Sequence, residues 1–129
     1  MKNIIIFCIY ILAINQIHAQ TVLEIDSHRA FEILEHFNYH SGVLIDGRDS
    51  TMFASGHIEK AIQINAYEEN LGEKLTPYLT REKIMVYCTT HRRTNTIIDK
   101  LKELDYQGEI IVVMDGITGW KENNLPLEQ

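Results

Sequence analysis

Cysteine is scarce in this chain: 129 residues hold 2, Cys8 and Cys88. A disulfide-stapled scaffold needs more, so the fold has to rest on a hydrophobic core. Proline is equally scarce, with 2 residues, and glycine numbers 7. This excludes proline- or glycine-rich linkers and low-complexity tracts, and no internal repeat is found. A positive charge balance is absent as well. Acidic residues outnumber basic ones 18 to 12, a formal net charge of −6. That argues against nucleic acid or an anionic membrane surface as the main partner. Long hydrophobic runs are also missing. The longest, Ile4 to Ile14, has 11 residues, whereas a membrane-spanning helix needs roughly 20.

What the N-terminus does hold is the makeup of a secretory signal. Lys2 precedes the apolar run and is the only charge before Glu24. A short polar stretch then leads to Ala19, a small residue suited to a cleavage site. Residues 1–19 are therefore expected to be removed, although Ile17 stands where a small residue is favoured. An uncleaved membrane anchor is the alternative. The expected product is a single domain of residues 20–129, exported to the periplasm or beyond a bacterial cell. It would have no stable membrane association after signal removal. Loss of Lys2 leaves 11 basic against 18 acidic residues, a net charge near −7. Loss of Cys8 leaves Cys88 alone. A lone exported cysteine reads as a reactive thiol or an intermolecular bridge, or else as a buried inert residue packed as a small hydrophobe.

Along residues 20–129, short apolar runs alternate with helical patterns. Strands are expected at Thr21 to Ile25, Val43 to Ile45, Ala61 to Ile64, Ile84 to Tyr87 and Ile110 to Val113. A first helix, capped by Asp26 or Ser27, is expected to reach Phe37. A short one follows, capped by Ser50 and stopped by Gly56, and another begins at Pro77 behind Thr76. A longer helix from Thr94 carries Ile97, Ile98, Leu101 and Leu104 on one face, and a last one bears Trp120. Such alternation predicts an α/β fold with a parallel five-stranded sheet and helices on both faces. Ligands bind beyond the carboxyl ends of strands in such sheets, and Cys88 falls at one of those ends.

The segment Cys88-Thr89-Thr90-His91-Arg92-Arg93-Thr94 joins a buried strand to a helix. A loop that curls there can turn its backbone N–H groups inward as an anion-binding nest. The helix N-terminus adds partial positive charge, and Arg92 and Arg93 add full charges. All three favour a thiolate at Cys88, the form nucleophilic sulfur chemistry needs. The same arginines alone would read as a solvated loop.

These residues resemble the rhodanese (sulfurtransferase) family. Its loop has an active-site Cys, four further residues, then Arg and Ser or Thr, as in Cys88, Arg93 and Thr94. Val43-Leu44-Ile45-Asp46-Gly47-Arg48 is similar to that family's early strand ending in Asp-x-Arg. Phe53 and Gly56-His57-Ile58 resemble its next motif, with Ala61, Ile64 and Asn65 continuing the pattern. Asp115-Gly116, Trp120 and Leu125-Pro126 resemble its closing Gly-Gly, Trp and Leu-Pro. There are three departures. Thr89 replaces a frequent basic residue. His91 replaces a usual Gly and would be strained if that position required φ > 0. Asp115 puts a negative charge near a site for anions.

The resemblance implies that Cys88 takes a sulfane sulfur from thiosulfate or a persulfide donor. It then passes the sulfur to cyanide or a thiol acceptor, which includes thiol proteins. The N–H groups of Thr89, Thr90, His91, Arg92 and Arg93 would hold the persulfide. Arg93 would brace the loop, Thr94 would hydrogen-bond near the sulfur, and His91 and Arg92 would contact the donor. Asp46 and Arg48 would pair near the loop. No cofactor or metal is implied. His36 and His40 have a helical metal-site spacing but lack a third ligand. His57 has a structural rather than a basic-catalyst context, and Trp120 reads as core. Two rivals remain. One is a non-catalytic rhodanese-type binding module. The other is a phosphatase or arsenate reductase on the same fold, whose loop is one residue longer than Cys88 to Arg93.

Overall fold

A computed structural model describes residues 20–129. The segment 1–19, read as an export signal, lies outside the described residues. Five strands form one sheet: β1 (Val22–Ile25), β2 (Gly42–Asp46), β3 (Ile62–Gln63), β4 (Lys83–Tyr87) and β5 (Glu109–Val113). The helices are α1 (Ser27–Leu34), α2 (Ser50–Ser55), α3 (Leu71–Leu75), α4 (Arg92–Glu103) and α5 (Gly116–Glu122), with a 3-10 turn at Thr76–Tyr78. The strand order is β1-β5-β4-β2-β3, and every pairing is parallel.

Every residue of β2 is buried, as are four of the five in β4 and in β5. A parallel strand covered on both faces needs apolar side chains on both, which is why these segments are continuous apolar runs. Successive side chains alternate between the faces. Val43, Ile45, Ile84, Val86, Ile110 and Val112 pack under α3 and α4, against Leu71, Leu75, Ile97, Ile98 and Leu101. Leu44, Met85, Tyr87, Ile111 and Val113 pack under α1 and α5, against Ala30, Ile117 and Trp120.

Several boundaries differ from expectation. Asp49 rather than Ser50 caps α2, its Oδ1 accepting from Met52 N at 2.8 Å. Helix α1 stops at Leu34 rather than Phe37. His36 and Phe37 donate to Ile33 and Leu34 at 3.2 and 3.3 Å, bonds that tighten the last turn. Asn38 then turns the chain, its Oδ1 accepting from His40 N at 3.0 Å. His36 and His40 therefore do not share a helix face. Strand β3 is only two residues long. Thr76 does not cap a new helix: α3 already ends there, and its hydroxyl donates back to Gly72 O at 2.7 Å.

Strands β2 and β4 are neighbours, but their connections leave in opposite directions. The chain from β2 goes outward to β3, and the chain from β4 goes to β5 on the other side. The chain thus reverses its winding direction between β2 and β4, and ligands bind outside the carboxyl edge at such a switch point in open α/β sheets. Cys88 begins the loop after β4, and Asp46 ends β2.

Candidate active site

Cys88 directly follows β4 and is 1% exposed. It is the free cysteine among the described residues. Two neighbouring segments fix the loop it opens. Its carbonyl accepts from Ile117 N at 2.8 Å, and that of Thr89 accepts from Thr118 N at 3.1 Å. These bonds bring the start of α5 against the loop, and Gly116 makes the approach possible. Gly116 has φ +55°, and a Cβ there would lie 2.4 Å from Cys88 O. Only glycine meets both demands without strain. Gly47 similarly lets the end of β2 close on α4. Its N–H donates to Tyr87 O at 2.8 Å, and a Cβ would lie 2.9 Å from Ile97 Cδ1 and 3.7 Å from Arg93 Cβ.

Helix α4 begins at Arg92, two residues before the expected Thr94. Arg92, Arg93 and Thr94 are thus its first turn, and the loop proper is Cys88 to His91. His91 is the N-cap residue with φ −143° and ψ −2°. That negative φ puts no left-handed strain on a side chain, so His in place of Gly carries no such cost here. Thr94 is buried, and its hydroxyl donates to His91 O at 2.6 Å. The turn is therefore locked from within the helix. First-turn N–H groups have no intrahelical acceptor. Among the described residues, those of Arg92 and Arg93 meet no protein acceptor either. The first turn of α4 also lacks acidic side chains. These features make the loop and helix end a site of positive potential beside Cys88.

Thr90, His91 and Arg92 are exposed, while Thr89 and Arg93 are half-buried. The Arg93 guanidinium lies over the Tyr67 ring, 5.2 Å from its centre. The bonds that brace the loop come from Thr94, Ile117 and Thr118 instead.

Beneath the site, Asp46 and Arg48 form a buried ion pair, 0% and 3% exposed. Arg48 Nη2 donates to Asp46 Oδ2 at 2.7 Å, Nε donates to Oδ1 at 3.0 Å, and the Arg48 backbone N–H reaches Oδ1 at 2.9 Å. Nη2 also donates to Gly56 O at 2.7 Å, tying the end of β2 to the end of α2. Burial works against the Arg48 charge, but the bonds and charge of Asp46 outweigh it and hold the guanidinium above its ordinary range. The Tyr87 phenol, buried and near the Asp46 charge, is pushed far above the ordinary phenol value. Its oxygen accepts from Ile58 N at 3.0 Å.

Asp115 has its charge taken up at the neighbouring helix end. Its carboxylate accepts from Ser27 N at 2.7 Å and Ser27 Oγ at 2.8 Å, at the N-terminus of α1. His57 is part of the frame: its ring stacks on Phe53 at 3.8 Å, and its backbone exchanges 2.8 Å hydrogen bonds with Glu128. Trp120 is core, 1% exposed, with Nε1 donating to Pro126 O at 2.8 Å. Two contributors escaped the sequence reading. Gly47 was read only as part of a strand-end motif. Tyr67 belongs to no motif, and its one signal in the sequence is an aromatic beside the polar residues Glu68, Glu69 and Asn70.

A family model for the rhodanese-like domain matches residues 30–123. Solved structures with the same fold include a rhodanese-related protein from Thermoplasma volcanium, at 23% identity and a TM-score of 0.68, covering 82% of this chain and 97% of that one. The rhodanese-like domain of an Anabaena protein is similar at 22% identity and a TM-score of 0.67, covering 81% and 77%. Thiosulfate sulfurtransferase from Pseudomonas aeruginosa is similar at 19% identity and a TM-score of 0.64, covering 84% of this chain and 20% of that one. No curated protein matches the chain. With a family model spanning most of its length and its five parallel strands in that fold, the chain belongs to the rhodanese-like domain family.

Proposed function

We propose that this domain is a sulfurtransferase that moves a sulfane sulfur through a persulfide on Cys88. The observation that carries the reading is the position of Cys88. It stands at the carboxyl end of β4, where the sheet's connections change direction between β2 and β4, just before the N-terminus of a 12-residue helix. In the proposed cycle the Cys88 thiolate attacks the outer sulfur of thiosulfate. The S–S bond of the donor breaks, and sulfite leaves with that bond's electron pair. Cyanide or a thiolate then attacks the outer sulfur of the persulfide, and the Cys88 thiolate is released with the electron pair of the cleaved bond. The N–H groups of the loop and first helical turn stabilise the charged sulfur in both steps. Exposed His91 and Arg92 are placed to meet an anionic donor. The spacing from Cys88 to Arg93 supports sulfur over phosphate, because a shorter loop encircles a single atom better than a tetrahedral group. The basic start and short apolar run at residues 1–19 support export of the domain.

The test is turnover. Thiosulfate and cyanide should yield thiocyanate at a rate proportional to protein, and Cys88→Ser should abolish it. Turnover that survives Cys88→Ser would refute the assignment. So would phosphate ester hydrolysis in place of sulfur transfer.

A further inference from the structure

Tyr67 is the most exposed large apolar side chain among the described residues, at 56%. It stands in the segment after β3, which is fastened to the site. Ala66 N donates to Gly47 O at 3.0 Å, and Tyr67 N donates to Asn65 Oδ1 at 3.1 Å. Gly47 in turn bonds to the end of β4, one residue before Cys88. The backbone that carries the ring is thus fastened to the site, and the guanidinium of Arg93 lies over the ring, 5.2 Å from its centre.

A guanidinium that meets an aromatic face uses its π surface and keeps its in-plane N–H donors for other partners. Among the described residues, no carboxylate or carbonyl takes those donors of Arg93. A half-buried arginine over an aromatic face, with N–H donors that no protein group among the described residues takes, in the first turn of the helix that follows Cys88, is a fork for an anion. The geometry points to Tyr67 as a positioning residue that presents Arg93 to the oxyanion end of the sulfur donor. This rests on the sulfurtransferase reading and extends it, because it assigns the positioning of a donor-binding arginine to a residue outside the cysteine loop.

Two variants separate the ring from its hydroxyl. Tyr67→Phe keeps the aromatic face, and Tyr67→Leu removes it at an exposed position that leaves the core untouched. Tyr67→Leu should raise the KM for thiosulfate by roughly 2–5-fold, the scale of an exposed cation–π contact, with kcat retained. Tyr67→Phe should match the wild type. A lowered kcat with unchanged KM in Tyr67→Leu, or equal KM losses in both variants, would overturn the proposal. An independent readout does not depend on turnover. The Arg93 Nε–H resonance should shift on addition of sulfate, and Tyr67→Leu should weaken that response while Tyr67→Phe preserves it. If wild-type protein transfers no sulfur but this resonance behaves as described, the catalytic reading fails and the positioning role stands. If sulfate leaves the resonance unmoved in the wild type, the positioning role fails.

Discussion

Gly116 carries more of the site's geometry than its size suggests. It accepts φ +55° and lets the start of α5 lie against the carbonyls of Cys88 and Thr89. Gly116→Ala forces a left-handed φ on a side chain and drives its Cβ toward Cys88 O. The strain should cost about 1–3 kcal/mol of stability. The larger effect should fall on turnover, because a reacting sulfur displaced by about 1 Å can lose roughly 100-fold in rate. Urea denaturation and thiocyanate formation measured on the same sample check both parts. Retained turnover would mean that this approach does not position Cys88. Gly116 was legible in the sequence as half of a closing motif, but the reason for it was not. The contact joins residues 28 positions apart in the chain, and no local pattern encodes it. His91 illustrates the reverse error. The sequence raised the prospect of strain because a glycine is usual there. The backbone sets φ at −143° once α4 begins at Arg92, and the difficulty disappears.

Among the elements, the tie between β5, α5 and α1 decides how the negative charge of Asp115 is used. Ser27 N–H and hydroxyl both donate to its carboxylate, and Asn123 Nδ2 reaches Ser27 Oγ at 3.0 Å. Gly119 leaves room for this arrangement, since a Cβ there would fall 1.9 Å from Asp115 Oδ2. An anion at a helix N-terminus is stabilising. Asp115→Asn should therefore cost about 0.5–1.5 kcal/mol, read from the urea midpoint, with the KM for thiosulfate unchanged. A KM that falls in this variant would show that the carboxylate repels the donor after all. The strands and their order of appearance were readable from apolar runs between turn residues. Their spatial order was not, because it depends on which helices cover which face. The ends of α1 and α4 were misplaced for a related reason: the i→i−3 bonds at His36 and Phe37 and the Thr94 hydroxyl on His91 O are decided by tertiary fit, which overrides local propensity.

The whole molecule is held by two apolar layers on one sheet, and each layer includes a buried phenol. Tyr87 lies on the α1–α5 side and Tyr106 on the α3–α4 side. Burial, with the Glu109 charge second, pushes Tyr106 up to about 12, and Tyr87 is raised further by burial and Asp46. For a group whose folded value is raised, the stability it contributes is fully present below its unfolded value, about pH 10 for a phenol. It is lost as pH rises through the folded value. The urea midpoint should therefore fall steadily above about pH 10, and Tyr106→Phe should soften the fall. A midpoint that stays level through this range would show that the phenols are not closed off from solvent. The central claim is the persulfide itself, and intact-mass spectrometry tests it most directly. Protein incubated with thiosulfate and desalted should gain the mass of one sulfur atom, lose it on addition of cyanide, and gain nothing as Cys88→Ser. Wild-type protein that emerges from thiosulfate with its mass unchanged would contradict the account and leave a rhodanese-like domain used for binding alone.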